Sequence, residues 1–189
     1  MKFLEEKIIG EGRVLEGDIL KVDMYLNHQI DPLLIDQMGI DFKDHFIGKN
    51  ITKVLTLEVS GIAIAYSAAF HLGVPLVFAK KIESKSLFSD VYKAEVVSYT
   101  KGKTFEIRVD KKYLTKDDNI LIIDDFLAKG QALHGLVDLC DQAGASIAGI
   151  GIAIEKTFQE GGKHFRDLGY DVYSQAQIKE FKDGKVIFE

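Results

Sequence analysis

Two adjacent acids, Asp124 and Asp125, follow the apolar residues 120–123 and precede a run of small residues at 128–132. Neighbouring carboxylates repel each other, so they are tolerated where water, a cation or hydrogen-bond donors reach both of them. The run after them leads into a helical pattern, and the backbone N–H groups and dipole at a helix start favour a phosphate. Acceptors for hydroxyl groups thus lie beside donors for an anion, the combination that a sugar phosphate requires. The same residues also fit a solvated strand end followed by an ordinary helix cap, and this alternative stays open at this point.

The elements that must position these acids begin with an apolar βαβ pattern. Residues 51–57 are rich in β-branched side chains and predict a strand, and 61–73 predict an alanine-rich helix closed by glycine. Residues 75–79 predict a second strand. The three segments therefore predict one strand–helix–strand unit.

A second unit contains the two acids. We expect residues 120–123 to be a strand, 124–132 a loop, and the following segment a helix, because apolar residues from Leu133 to Cys140 recur at helical spacing. Gly144 is placed to end that helix before the uncharged run 146–154. Continuous apolar strands separated by helices predict a parallel sheet covered on both faces, with ligands bound beyond the carboxyl ends of its strands.

The other segments are less regular. The region up to about Phe46 is more polar and is expected to be helical in pieces, with a helix start at Asp31 and Pro32. Alternation between residues 80 and 110, with a turn at 101–103, predicts a hairpin, and the tail predicts a strand and a hairpin around Asp183–Gly184.

Bulk composition limits the function classes. A chain of 189 residues with 47% hydrophobic and 28% charged residues is most simply one globular domain, residues 1–189. A net charge of -5 argues against nucleic acid as a partner. The single cysteine forms no internal disulfide and no leader peptide opens the chain, so we expect a cytoplasmic protein. The uncharged stretch 61–79 is broken by Gly73 and Pro75, so no membrane span is expected.

The segment ILIIDDFLAKGQA resembles the phosphoribosyl pyrophosphate signature of the type I phosphoribosyltransferases. Four more segments in the same order, KVDMYLNHQIDP, EVSGIA, GVPLVFAKK and QAGASIAGIGIAIEK, resemble the bacterial xanthine branch of that family over essentially the whole length. The resemblance implies an α/β fold with a central, mainly parallel sheet flanked by helices. It also implies a small hood, built from about residues 1–46 and the C-terminal region, and a flexible hairpin loop.

The activity implied by the resemblance is transfer of the 5-phosphoribosyl group from phosphoribosyl pyrophosphate to xanthine, with release of pyrophosphate. Mg²⁺ would arrive with phosphoribosyl pyrophosphate rather than in a protein metal site, because it prefers phosphate and hydroxyl oxygens. The five histidines show no metal-ligand spacing. The family also implies a homodimer. Alternatives that stay open are a hypoxanthine-guanine or adenine phosphoribosyltransferase, and a non-catalytic, purine-responsive regulator with the same fold.

Site residues follow from the motifs and their chemistry. Asp124 and Asp125 would hold the ribose hydroxyls as the catalytic pair. Lys156 can donate to the carbonyl oxygens of an oxopurine but would find no acceptor at the amino group of adenine. Phe158 is either a stacking residue or part of the core. By resemblance, xanthine contacts Leu20 and Asn27 together with Lys156, and phosphoribosyl pyrophosphate contacts Ala128, Lys129, Gly130, Gln131, Ala132, Glu58, Ser60, Gly61 and Lys81. A solvated loop acid at Glu58 and a charged strand end at Lys81 are alternatives that stay open.

Two further expectations concern the phosphate loop and its cover. Many relatives carry hydroxyl residues where Lys129 and Ala132 stand, so backbone N–H groups, with the ammonium of Lys129, must replace those contacts. The segment from Ile82 to about Thr104 is expected to close over the site and exclude water, which would otherwise hydrolyse an activated ribosyl centre.

Overall fold

An eight-stranded sheet runs through the protein, as seen in a computed structural model that describes residues 1–82, 90–98 and 103–189. The sheet order is β10-β9-β8-β7-β3-β4-β6-β5; β9, β8, β7, β3 and β4 are parallel, and both edges are antiparallel. The mainly parallel α/β fold predicted from the sequence is therefore confirmed. In chain order the elements are α1 (Lys2–Glu11), β1 (Arg13–Leu15), β2 (Ile19–Lys21), a π-helix (Asp23–Asn27), α2 (Pro32–His45), β3 (Lys53–Leu57), α3 (Gly61–Leu72), β4 (Leu76–Ile82), β5 (Val91–Ser98), β6 (Lys103–Asp110), a 3₁₀ turn (Lys111–Tyr113), β7 (Asn119–Leu127), α4 (Gln131–Ala143), β8 (Ser146–Lys156), α5 (Glu160–Asp167), β9 (Val172–Lys182) and β10 (Lys185–Phe188).

The two faces of the sheet carry separate apolar cores. Along β7, Leu121 and Ile123 pack with α2 and α3, whereas Ile120 and Ile122 pack with α4. Because successive strand residues point to opposite faces, an uninterrupted apolar run is what a strand covered on both sides needs. The predicted apolar face of α4 is confirmed, and its Cys140 is completely buried.

The helix boundaries agree with the capping chemistry of the sequence. Asp31 precedes α2, and its carboxylate accepts from the N–H groups of Leu33 and Leu34 at 3.1 and 3.2 Å, with Pro32 at the first helical position. Gly144 ends α4 in the left-handed conformation, as predicted. These residues therefore fix the start of α2 and the end of α4.

The N-terminal segment is only partly helical. Residues 13–21 form a two-stranded antiparallel hairpin, β1–β2, whose turn contains Gly17 and Asp18 at positive φ. The expected helical pieces are present as α1, the π-helix and α2, and this hairpin between them was not predicted. Helix α1 packs against β9 and β10, so the two ends of the chain meet on one side of the sheet.

Near the site, some of the predicted elements differ from the structure and others are confirmed. β7 continues to Leu127, so the two acids lie within a strand and not in the predicted loop. The hairpins β5–β6 and β9–β10 are confirmed, while residues 83–89 and 99–102, which include part of the expected cover and the first two residues of the turn predicted at 101–103, lie outside the described residues. Helix α5 was not predicted. Within the described ranges, no helix is long and apolar enough to cross a membrane.

Candidate active site

A cavity of about 540 Å³ opens at the carboxyl ends of β3, β7 and β8. This is the edge at which ligands bind in an open parallel sheet, and the volume is that of a metabolite site. The cavity brings together the predicted acids, phosphate loop, pyrophosphate loop and base lysine. The predicted residues on its wall are Glu58, Ser60, Gly61, Lys81, Asp124, Asp125, Ala128, Lys129, Gly130, Gln131, Ala132 and Lys156.

The two acids occupy different environments although they are adjacent. Asp124 is buried, with 5% of its surface exposed, and Oδ1 accepts from the N–H of Asp125 at 3.0 Å; Asp125 Oδ1 accepts from the N–H of Phe126 at 3.0 Å. Burial first, and the charge of Asp125 second, raise the pKa of Asp124 well above its ordinary value. Burial also raises the pKa of Asp125, while the charge of Lys81 opposes both shifts. Two negative charges here therefore need a cation or hydroxyl donors to be stable.

The phosphate loop is a tight connection between β7 and α4. Gly130 has φ +80°, a conformation that glycine adopts without strain, and precedes the first residue of α4. The first N–H groups of a helix lack partners inside the helix, so those of Gln131 and Ala132 are available to an anion at this point. Helix α5 supports the loop from outside, since the N–H of Gly161 donates to the carbonyl of Ala128 at 3.0 Å.

The connection between β3 and α3 lines the same cavity, and it contains the predicted pyrophosphate segment 58–61. Glu58 Oε1 accepts from the backbone N–H of Lys81 at 2.6 Å, and the Glu58–Val59 peptide bond is cis. A Cβ on Gly61 would lie 2.2 Å from Thr56 Oγ1 and 3.3 Å from Asp124 Oδ1. Only glycine therefore lets the start of α3 approach the acids so closely. Lys81 adds its positive charge to the same wall.

Lys156 ends β8 at the opposite side of the cavity. Its ammonium donates to the carbonyl of Asp18 in the β1–β2 turn at 2.7 Å and lies 5.6 Å from the ring centre of Phe181. Burial lowers the pKa of Lys156. A half-buried ammonium with one carbonyl partner has donors left for the oxygens of an oxopurine. Phe158 is 42% exposed and packs edge-to-face on Phe181, and it does not line the cavity.

Leu20 and Asn27 lie away from the cavity wall. Leu20 is 6% exposed and belongs to the core beneath β1–β2, while its neighbour Ile19 lines the cavity. Asn27 borders a neighbouring groove, which it shares with Ser60, and its buried Oδ1 has no hydrogen-bond partner among the described residues. Their roles toward the base stay predictions.

Sequence reasoning missed several residues that line or shape the cavity. Gly17 and Ile19 reach it from the unpredicted hairpin, and Gln159 reaches it from the turn before α5. Thr56 is completely buried under Gly61, with an Oγ1 that has no partner in the described part of the chain. A threonine in an otherwise apolar strand was the one available signal.

The structure is an α/β fold with a cavity that is lined by paired carboxylates and by the residues 58–61 and 128–132 at the starts of α3 and α4. A family model, the phosphoribosyl transferase domain, matches residues 21–182. The chain belongs to this phosphoribosyltransferase family. Its fold is the type I phosphoribosyltransferase fold predicted from the sequence.

Two curated relatives match the whole chain. A protein from Finegoldia magna, named xanthine phosphoribosyltransferase, is 52% identical over 189 residues, covering 100% of both chains. A protein of the same name from Ruminiclostridium cellulolyticum is 54% identical over 188 residues, covering 100% of this chain and 99% of its own. The type of enzyme suggested by the sequence resemblance is therefore also that of these relatives.

Solved structures with the same fold include two adenine phosphoribosyltransferases. The protein from Rhodothermus marinus superposes with a TM-score of 0.74 at 20% identity, covering 94% of this chain and 100% of its own. The protein from Saccharomyces cerevisiae gives 0.73 at 19% identity, covering 93% and 99%. At such identities the likeness concerns the fold alone.

Proposed function

We propose that the protein transfers the 5-phosphoribosyl group of phosphoribosyl pyrophosphate to xanthine in purine salvage, giving xanthosine 5′-monophosphate and pyrophosphate. The proposal rests above all on one observation: residues 58–61 and 128–132, at the starts of α3 and α4, line the same cavity as the paired carboxylates. We interpret these two segments as anion sites. Identities of 52% and 54% to proteins named xanthine phosphoribosyltransferase support the choice of base.

The reaction joins a purine nitrogen to C1 of the ribose while the bond from C1 to the pyrophosphate oxygen breaks. Positive charge develops on the ribose in such a transition state. Asp124 and Asp125 are placed to accept hydrogen bonds from the two ribose hydroxyls and to stabilise that charge electrostatically. Because burial raises their pKa values, their negative charge is most favourable when a cationic centre forms beside them.

The two ends of phosphoribosyl pyrophosphate are assigned to the two anion sites. The loop 128–132 binds the 5′-phosphate, and residues 58–61 with Lys81 bind the pyrophosphate. A cation carried by the substrate would favour the charged form of Asp124, which burial and the charge of Asp125 otherwise disfavour. Mg²⁺ bound with the substrate would neutralise the leaving pyrophosphate beside Asp124 and Asp125.

Base choice is assigned to Lys156. Its ammonium can donate to an oxopurine carbonyl, and the amino group of adenine offers no acceptor in that place. Leu20 and Asn27 are proposed to act with it from the N-terminal segment, Leu20 as apolar support and Asn27 through its unpaired Oδ1. The hood over the base would then combine residues 1–46 with the C-terminal strands of one domain, 1–189.

We also propose that the protein is a cytoplasmic homodimer that does not bind nucleic acid. Val59, Tyr66 and Phe70 are 71%, 63% and 69% exposed beside a groove of about 670 Å³. Exposed apolar side chains that cluster in this way mark a protein–protein contact, and a second copy is the proposed occupant. Light scattering should give twice the chain mass, and replacing Tyr66 and Phe70 by Asp should halve it.

The reaction is tested by following both products. Purified protein with Mg²⁺, phosphoribosyl pyrophosphate and xanthine should release pyrophosphate and form xanthosine 5′-monophosphate in equal amounts. Pyrophosphate without the nucleotide would indicate hydrolysis, and formation of neither product would contradict the proposed function.

A further inference from the structure

A partly buried ion pair, with the side chain of Arg166 35% exposed, lies next to the candidate active site. The carboxylate of Glu155, whose side chain is 2% exposed, accepts two hydrogen bonds from the guanidinium of Arg166, both at 2.7 Å. Ser174 donates to the same carboxylate, and Arg166 also donates to the carbonyl of Val172 at 3.3 Å. This planar, two-bond geometry fixes the orientation of Arg166, which a single contact would not do.

The pair joins β8 to α5 at the point where β8 meets the base site. Glu155 immediately precedes Lys156, whose carbonyl accepts from the N–H of Gln159 at 3.0 Å, just before α5 begins. A Cβ on Gly162 would lie 1.8 Å from Glu155 Oε1. Helix α5 therefore lies against the ion pair with no room for a side chain between them.

The other face of α5 contacts the phosphate loop. The N–H of Gly161 donates to the carbonyl of Ala128 at 3.0 Å, and a Cβ on Gly161 would lie 2.4 Å from that oxygen and 2.8 Å from the nitrogen of Gly130. A Cβ on Gly130 would in turn meet the ring of Phe165 at 2.9 Å. Any displacement of α5 must therefore displace the loop that is proposed to hold the 5′-phosphate.

We propose that Glu155 and Arg166 are positioning residues that hold α5 as a brace between the base lysine and the phosphate loop. The inference rests on the proposed function, because the loop is taken to bind the 5′-phosphate of phosphoribosyl pyrophosphate. Neither residue of the pair lines the cavity. Its effect on the reaction is to fix the distance and orientation of the two binding sites.

The first test removes one partner. Arg166→Met should raise KM for phosphoribosyl pyrophosphate by about 10- to 100-fold, because a small misplacement of a binding group has effects of this size. KM for xanthine should change much less. Arg166→Lys should restore part of the affinity, since it keeps the charge but loses the two-bond geometry.

The second test separates positioning from stability. Arg166→Met leaves the buried carboxylate of Glu155 without its cationic partner and should lower the melting temperature, whereas the double variant Glu155→Gln/Arg166→Met removes both charges and should recover it. A positioning role predicts that KM for phosphoribosyl pyrophosphate stays raised in the double variant. Recovery of KM together with the melting temperature would overturn the proposal, as would an unchanged KM in Arg166→Met.

A matched control is the ion pair of Lys53 and Asp118, at 2.8 Å with side chains 15% and 11% exposed. It lies at the amino ends of β3 and β7, on the far edge of the sheet from the cavity. Asp118→Asn should lower the melting temperature without raising KM for phosphoribosyl pyrophosphate. An equal rise in this KM would show that lost stability alone explains the Arg166 effect.

Binding of ribose 5-phosphate, measured by calorimetry, gives a readout that does not depend on turnover. Arg166→Met should weaken it by the same factor as KM. If the wild-type protein binds ribose 5-phosphate but does not use xanthine, the proposed function fails while this binding comparison still tests the brace. Equal binding by the wild type and Arg166→Met would overturn the brace.

Discussion

Replacing Lys156 by Met tests the base assignment most selectively. Methionine keeps an apolar stem beside the ring of Phe181, from which the ammonium lies 5.6 Å, and removes only the charged donor. Burial lowers the pKa of Lys156, so an additional acceptor for this ammonium is favourable. A hydrogen bond from a charged group contributes about 1.5 to 3 kcal/mol, and the half-buried position of Lys156 favours the lower part of that range. About 1.5 to 2.5 kcal/mol corresponds to a loss of roughly 10- to 60-fold in affinity for xanthine.

The assay is initial velocity with each substrate varied while the other is saturating. KM for xanthine should rise about 10- to 60-fold in Lys156→Met, and KM for phosphoribosyl pyrophosphate should stay within about 3-fold, because only a base contact is lost. Lys179, exposed on β9, provides the control Lys179→Met, which should change neither constant. Equal increases for both substrates, or an unchanged KM for xanthine, would refute the assignment.

Three other predictions concern the acids, a close contact and acid stability. Asp124→Asn with Asp125→Asn should lower kcat by about 1000-fold or more, since removing one electrostatic contact typically costs 100- to 1000-fold. Calorimetry at pH 7 should show an equal or higher melting temperature, because carboxyl groups with raised pKa values stabilise the fold less as the pH rises through those values. An active or clearly less stable double variant would contradict this. Gly61→Ala should raise KM for phosphoribosyl pyrophosphate about 10-fold or more, because its Cβ would lie 2.2 Å from a buried threonine oxygen and must displace the anion site. Gly10→Ala, with nothing within 4 Å, is its control and should have no effect. The third prediction concerns Asp118. Burial raises its pKa, but hydrogen bonds from Lys53 and Thr115 lower it more, so the pKa of Asp118 lies below its ordinary value. The stability that this carboxylate provides is therefore present above about pH 4 and lost as the pH falls through the lower folded value. Melting curves between pH 7 and pH 3 should fall more steeply for the wild type than for Asp118→Asn, and parallel curves would contradict this.

The strands of the central sheet and two helix ends could be predicted because they depend on the local sequence. The apolar run at 120–123 needs cover on both faces, and the structure provides it. The start of α2 is set by Asp31 and Pro32, and the end of α4 by Gly144. These residues act on the backbone next to them, so the two helix ends can be predicted without tertiary structure. The length of β7 was underestimated because charged residues are unusual within a buried strand, and here pairing with β8 extends to Leu127.

The elements that were missed depend on tertiary contacts. Each strand of β1–β2 has three residues, too few to show alternation. Helix α5 contains Gly161 and Gly162, which disfavour a helix, but packing against the phosphate loop and Glu155 leaves no room for any side chain there. The residues that line the cavity could therefore be named from local motifs and the family resemblance, whereas the contacts of α5 behind them could not.

The central claim is tested most directly by comparing acceptor bases. The purified protein should be given Mg²⁺, phosphoribosyl pyrophosphate and, in turn, xanthine, guanine, hypoxanthine and adenine, with kcat/KM measured from pyrophosphate release. The account predicts the highest kcat/KM with xanthine and the lowest with adenine. A preference for adenine, or no release with any of the four bases, would contradict it.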